Sequence, residues 1–180
     1  MKLRTMMLAV AGFVVLTGCD TPTPSLLSLD PVVTDQDTAA DAGLTGVWET
    51  PGDKDTTCVI KRDGNDGYKI LFLGGGEPVG FQARLFTVGA AEFLDVVPAD
   101  NNDFRVPGHA VARIWTGDGA LKWAFLDSDW LKQAAAQLPA HTADGKTLLL
   151  SPGAIVRNFL ATFGTDDKAY GNVSTWQNMQ

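Results

Sequence analysis

The chain has 180 residues, of which 45% are hydrophobic and 19% are charged, and these ordinary proportions exclude wholesale disorder. The length suits one compact domain with a short appendage rather than two full domains. Fourteen basic residues against 21 acidic ones give a formal charge of −7, which argues against nucleic acid as the partner.

The first residues have the features of a secretory signal. Two basic residues, Lys2 and Arg4, precede an uncharged apolar run over residues 6–16. This run is shorter than the roughly 20 residues that a helix needs to cross a bilayer, but it suits the apolar region of a signal peptide. The alternative is a buried apolar helix or strand that happens to be followed by a cysteine.

The end of this run, Leu16-Thr17-Gly18-Cys19, resembles the lipobox of bacterial lipoproteins. The resemblance implies that residues 1–18 are a lipoprotein signal peptide and that fatty acids are attached to Cys19. Acyl chains contribute about 0.8 kcal/mol for each buried methylene group, so several chains would hold the protein at a membrane of the bacterial cell envelope. Asp20 resembles the signal that retains enteric lipoproteins in the inner membrane, which favours its periplasmic face over the outer membrane.

The second cysteine, Cys58, would have no partner for a disulfide within the chain once Cys19 is acylated. It lies in a strand-like run, Thr56–Ile60, without an obvious basic or histidine neighbour that could activate its thiol. The sequence therefore predicts a buried, unreactive thiol at this position.

Residues 19–43 have the composition of an acidic flexible tether. The stretch from Asp20 to Thr45 contains five aspartates, three prolines and no basic residue, so it offers little apolar area to offset the entropy of ordering the chain. Within it, residues 25–33 could rest on the domain. A tether of this length would span roughly 25–30 Å, enough to hold the domain away from the membrane surface.

The domain predicted over residues 44–180 begins with a series of short strand-like runs. Two dense turn signals, residues 63–67 and 116–119, contain the Asp-Gly and Asn-Asp-Gly patterns of tight hairpins. Runs at a spacing near ten residues, joined by short turns, predict an antiparallel meander curled into a barrel or half-barrel. The predicted strands are 44–49, 56–62, 68–73, 79–88, 91–97, 109–115 and 120–126.

Two helices are predicted after the strands, near residues 128–138 and 152–163. Asp127 and Ser128 can cap the start of the first helix, and Ser151 can cap the second. Residues 146–150, between the helices, could form an eighth strand. The remaining tail is polar except for Tyr170 and Trp176, which could dock on the domain.

The triplet Gly46-Val47-Trp48, on the first strand of the meander, resembles the G-x-W opening of lipocalins. The resemblance implies a mainly β, lipocalin-like barrel that Trp48 closes at one end and that holds a small apolar ligand in its interior. The chain departs from the family pattern because it lacks a T-D-Y motif between later strands. It also has two helices, rather than one, after the last main strand.

Four aromatic residues are the candidate ligand-binding residues of the barrel interior. Trp123 and Phe125 alternate onto one face of their strand, and Trp48 and Phe81 are the corresponding candidates on earlier strands. Ordinary core packing is the alternative for all four side chains.

Catalytic and metal-binding signatures are weak. His109 and His141 lack the spacing of a metal site, so neither a metal nor a cofactor is predicted. The Asp127 and Asp129 pair is explained by capping of the first helix. His109 with nearby acidic residues is the candidate centre if the protein is an enzyme.

The sequence thus predicts a membrane-anchored envelope lipoprotein with a non-catalytic domain that binds a small apolar ligand. One alternative is a structural lipoprotein whose outer surface docks on an envelope complex. The other is a hydrolase that uses His109.

Overall fold

The computed structural model describes residues 24, 26–34, 38–74, 76–99, 108–134, 136, 138–143 and 146–179. The predicted signal peptide and Cys19 lie outside these residues. Across the described ranges the chain forms twelve strands and two α-helices, with single 3-10 turns at Ala42–Leu44 and Asp167–Ala169. The strands are β1 Leu26–Ser28, β2 Thr38–Ala39, β3 Gly46–Thr50, β4 Asp53–Asp63, β5 Gly67–Leu73, β6 Val79–Val88, β7 Ala91–Pro98, β8 His109–Gly117, β9 Ala120–Phe125, β10 Ala140–Ala143, β11 Lys146–Leu149 and β12 Ser174–Asn178. The helices are α1 Ser128–Ala134 and α2 Gly153–Phe163.

Eight of the strands close into an antiparallel barrel. Strands β3 to β9 pair in sequence order, and β12 pairs with β9 on one side and with β3 on the other. Each barrel strand is therefore paired along both edges, which satisfies the backbone groups that an open sheet would expose. The predicted fold class, a mainly β lipocalin-like barrel with two C-terminal helices, is confirmed.

The eighth strand of the barrel is not the one that the sequence suggested. Residues 146–149 do form a strand, but β11 pairs with β10 and, in parallel, with β1 outside the barrel. The barrel is closed instead by β12, in the tail that looked polar. The tail residue Trp176 is buried in the barrel interior.

The two hairpin turns lie where the sequence predicts them. Gly64 in the β4–β5 turn has a φ of 68°, and Asp118 and Gly119 in the β8–β9 turn have φ values of 52° and 71°. Such positive φ values suit the tight turns that match the twist of paired strands, and they favour glycine, asparagine and aspartate.

The helices differ in part from the sequence prediction. The side chain of Asp127 accepts hydrogen bonds from the backbone N–H groups of Asp129 and Trp130, as expected of a cap. The described α1 ends at Ala134 rather than at 138. The expected cap of α2 is wrong, because Ser151 makes no capping hydrogen bond and its hydroxyl is buried without a partner among the described residues. No described helix combines the length and apolarity needed to cross a bilayer.

Part of the predicted 19–43 tether pairs with the domain, through β1 and β2. Strand β1 pairs with β8 and β11, and the side chains of Leu26, Val32 and Val33 are buried. The suggestion that residues 25–33 rest on the domain is confirmed for 26–33. We call residues 26–44 the N-terminal strap; β2 continues the strap along β6.

The side chains form two cores. One fills the barrel interior, and the other lies between the outer face of β6–β9 and a layer made of the strap, β11, α1 and α2. Arg113, on the outer face of β8, lies between the rings of Trp115 and Tyr170 and donates to the carbonyl of Gly164 at the end of α2. The helices therefore cover one side of the barrel and leave the β12–β3–β4–β5 side uncovered.

Candidate functional site

One end of the barrel is closed by the strap. Trp48 is only 2% exposed, and its indole Nε1 donates to the carbonyl oxygen of Leu44 at 3.1 Å. The Tyr68 hydroxyl donates to the backbone carbonyl of Asp41 and accepts a hydrogen bond from the backbone N–H of Asp41. The guanidinium of Arg62 also donates to this hydroxyl. Trp48 is thus buried beneath the strap, and within the described part of the chain no ring contact joins it to Phe81, Trp123 or Phe125.

The half of the barrel next to the closed end is filled by its own side chains. Burial strongly raises the pKa of the Cys58 thiol, so this cysteine is as unreactive as the sequence predicts. The strap covers this end of the barrel and does not reach the opposite one. The buried interior residues are Trp48, Cys58, Ile60, Tyr68, Ile70, Ala83, Leu85, Leu94, Ile114, Leu121 and Trp176.

The opposite end carries a group of aromatic rings that remain half-buried. The ring centroids of Phe72 and Phe81 are 5.7 Å apart and those of Trp123 and Phe125 are 5.4 Å apart, in edge-to-face arrangements. Val79, beside Phe72 in the sheet, is 51% exposed. We call these half-buried rings, together with Val79 and the buried Trp176 that contacts Phe72 and Trp123, the aromatic mouth; it comprises Phe72, Val79, Phe81, Trp123, Phe125 and Trp176.

Three of the four residues that the sequence predicts lie together in the aromatic mouth, and the prediction misses three members, Phe72, Val79 and Trp176. Phe81, Trp123 and Phe125 all lie in the aromatic mouth. Phe72 joins them through contacts with Trp123 at 6.4 Å and with Trp176 at 5.3 Å between ring centroids. The alternation of Tyr68, Ile70 and Phe72 along β5 could have identified Phe72, since it puts all three on one face.

An acidic side chain also faces the interior, near the closed end. Glu92 alternates along β7 with Leu94, which lies in the barrel core. Burial raises the pKa of the Glu92 carboxyl, and the negative charge of Asp41 raises it further. A hydrogen bond with Thr116 lowers this pKa in part. The folded structure therefore disfavours the charged form of Glu92.

Replacing Glu92 with glutamine should stabilise the protein at neutral pH. Because the carboxyl pKa is higher in the folded state than in the unfolded state, the wild-type chain has its full stability only below the unfolded pKa and loses part of it as pH rises through the folded pKa. The gain from Glu92→Gln should thus be present at about pH 7 and vanish near pH 3. Urea unfolding at both pH values measures it, with the exposed Glu77→Gln as the control. An equal effect at both pH values would contradict the assignment.

A polar cleft lies outside the barrel, between the strap and the β4–β5 hairpin. Its volume is about 520 Å³, and its walls include Val33, Arg84, Asp95 and His109. Asp95 is buried on β7, with its Oδ1 atom 2.8 Å from His109 Nδ1. Its Oδ2 atom accepts hydrogen bonds from the backbone N–H groups of Val32 at 2.9 Å and of Val33 at 3.4 Å.

The Asp95–His109 pair has two roles open to it. In the tautomer with its proton on Nδ1, His109 donates to the Asp95 carboxylate and Nε2 is free to accept a proton. A histidine oriented in this way can act as a general base. However, no described serine, threonine or cysteine side chain hydrogen-bonds the ring. The contacts to Val32 and Val33 show the structural role directly, because Asp95 fastens the strap to the barrel.

The other polar candidates do not assemble into a site. His141 is exposed, Asp127 caps α1, and Asp63 pairs with Lys69 at the surface. The acidic loop at residues 100–103 lies outside the described residues. Among the residues that are described, no three His, Cys, Asp or Glu side chains lie close enough together to hold a metal ion.

Comparison of the chain with protein-family models, with curated protein sequences and with solved structures finds no match in any of the three. The aromatic mouth and the Asp95–His109 cleft are therefore assigned on their geometry alone.

Proposed function

We propose that this protein is a lipid-anchored lipoprotein of the bacterial cell envelope that binds a small apolar ligand at the aromatic mouth of its barrel. The observation that carries the ligand proposal is the set of half-buried rings at the end of the barrel away from the strap, beside the exposed Val79. Water in contact with these rings would be released by an apolar ligand, which favours binding.

The packing of the barrel limits what such a ligand can be. The side chains next to the closed end occupy the interior, so a bound molecule would contact the mouth rather than pass deep into the barrel. The rings meet edge to face, and an aromatic or aliphatic group could lie against them at a similar distance. A small ligand, or one end of a longer apolar molecule, fits this arrangement best.

Trp123→Ala should weaken binding of an apolar fluorescent probe such as N-phenyl-1-naphthylamine. An aromatic contact contributes about 0.5–1.5 kcal/mol beyond burial, so the dissociation constant should rise by about threefold to tenfold or more. Titration of the probe followed by its fluorescence measures the change. The matched control is Trp130→Ala, which removes a half-buried tryptophan from α1, outside the barrel. Equal affinities of both variants, or no binding by the wild-type chain, would contradict the proposal.

The anchor is supported by the Leu16-Thr17-Gly18-Cys19 sequence after its apolar run. Labelling of expressing bacteria with a radioactive fatty acid should mark the wild-type protein and leave Cys19→Ala unlabelled. An unlabelled wild-type chain, or undiminished label on the variant, would refute acylation of Cys19. Asp20 favours the periplasmic face of the inner membrane, and fractionation of the labelled membranes tests this placement.

A hydrolase centred on His109 is a second candidate, favoured by the 2.8 Å contact between His109 and Asp95 beside the cleft. In this case His109→Gln should abolish an activity found by screening ester, phosphoester and glycoside substrates. Rates that are the same in the wild-type and variant chains would eliminate this candidate.

A further inference from the structure

The layer outside the barrel exposes an apolar surface. Along α2, Ile155, Phe159 and Phe163 recur every four residues and form one stripe. Phe159 is buried against Trp130 of α1, whereas Ile155 is 41% and Phe163 is 38% exposed. The rings of Trp130 and Phe163 are 6.0 Å apart.

Two further exposed leucines, Leu29 and Leu150, lie next to the C-terminal ends of β1 and β11. The last register pair of β1 and β11 joins Ser28 to Leu149, so the next residues, Leu29 and Leu150, lie side by side. Both side chains are exposed. We call the whole set the helical face, and it comprises Leu29, Trp130, Leu150, Ile155 and Phe163.

The length of chain before the strap brings this face close to the proposed anchor. Only six residues lie between Cys19 and Leu26, where the chain joins the sheet beside β11. The seven steps from Cys19 to Leu26 reach at most about 25 Å when fully extended, and a flexible chain of that length spans about 13–16 Å on average. A protein anchored at Cys19 would therefore hold β1, and the layer of β11 and the helices beside it, within about 25 Å of the membrane.

Charge also favours lipid contact for the α2 part of the helical face, whereas Asp30 and Asp129 lie beside Leu29 and Trp130 in the sequence. The signal peptide carries two of the 14 basic residues and none of the 21 acidic ones, so the mature protein is strongly acidic and is repelled by anionic lipids. Between Leu138 and Gly164, however, the only acidic residue is Asp144, against Lys146 and Arg157. This segment can approach an anionic headgroup region without net repulsion.

We propose that the helical face rests on the lipid bilayer to which Cys19 is anchored. The proposal rests on the lipid anchor proposed above. Tryptophan is enriched at membrane interfaces, and an amphipathic helix with tryptophan, phenylalanine or leucine on its apolar face lies in the interface plane with that face in contact with lipid. A bilayer is favoured over a protein partner because the short connection from Cys19 to Leu26 already holds this face close to the membrane.

Fluorescent labels on single introduced cysteines test the docking in the full acylated chain. Ile155→Cys and Phe163→Cys place a nitrobenzoxadiazole label on the helical face. Val47→Cys places it on the uncovered side of the barrel, where Val47 is 40% exposed. The native Cys58 is buried in the barrel and should not react. In vesicles of phosphatidylethanolamine and phosphatidylglycerol that contain a spin-labelled lipid, labels at 155 and 163 should be quenched about twofold or more. The label at 47 should not be quenched.

The results separate the docking from the anchor. An acylated, vesicle-bound chain whose labels at 155 and 163 are quenched no more than the label at 47 would overturn the docking and leave the anchor intact. A chain that carries no fatty acid would refute the anchor and the docking with it. Protection of both labels in native envelopes but not in pure lipid vesicles would also overturn the proposal, in favour of a protein partner.

Discussion

Removal of residues 174–180, which contain β12, should leave the domain unable to fold cooperatively. Strand β12 pairs with both β3 and β9, so its loss opens the barrel and exposes the edges of two strands. It also removes Trp176, which contacts Phe72 and Trp123. Loss of a buried tryptophan side chain alone costs about 3–5 kcal/mol, a large part of the stability of a typical domain.

Circular dichroism and thermal unfolding of the truncated chain measure this effect. The matched control lacks only Met179 and Gln180, and it gives up one backbone hydrogen bond, from Met179 N–H to the carbonyl of Val47. That bond is worth about 1 kcal/mol, so the control should fold. A truncated chain that unfolds cooperatively at the wild-type temperature would show that β12 is not needed to close the barrel.

Replacing Trp48 with alanine should lower the free energy of unfolding by about 3–5 kcal/mol. The indole is buried at the closed end of the barrel, and its loss leaves a cavity and removes the donor to the Leu44 carbonyl. Trp48→Phe keeps most of the ring volume but not the donor, so its cost should be intermediate. Urea unfolding monitored by circular dichroism gives the three values.

The control for Trp48 is its neighbour on the same strand. Val47 points outward from β3 and is exposed, so Val47→Ala should change the free energy of unfolding by no more than about 0.5 kcal/mol. If Trp48→Ala costs as little as Val47→Ala, the indole does not hold the closed end together.

The meander could be predicted from the sequence because its signals are local. Alternating apolar residues mark each of the strands from β3 to β9, and the Asp-Gly turn at Asp118 fixes the last hairpin between them. Strand β12 carries a weaker signal. Trp176 is its one large apolar residue, flanked by Thr175 and Gln177. Its pairing with β3 joins opposite ends of the domain, so the alternation in a short window cannot reveal it.

The strap could be predicted only in part, for a related reason. Its acidic residues outweigh the few apolar ones in composition, yet Leu26, Val32 and Val33 pack on a surface that exists only after the barrel and α2 have formed. The close approach of Gly153 to the carbonyl of Pro31, which leaves no room for a Cβ atom, is likewise a product of the tertiary fold.

The sequence revealed the candidate sites only in part, for the same physical reasons. His109 stood out as one of two histidines, but its partner Asp95 lies on a neighbouring strand, in a register that the sequence does not reveal. The alternation along β9 identified Trp123 and Phe125 correctly as neighbours on one face. Their contact with Trp176 depends on the closure by β12.

The two-sided pairing of β1 has a mechanical consequence for a tethered protein. Tension on the chain before Leu26 would pull β1 along its own axis, and its backbone bonds to β8 and β11 would resist together in shear. A few residues further along the chain, the carboxylate of Asp95 accepts a hydrogen bond from the backbone N–H of Val32. In a protein anchored at Cys19, a pulling force would therefore act first on the hydrogen bonds of β1. The eight strands of the barrel would keep their arrangement under that force.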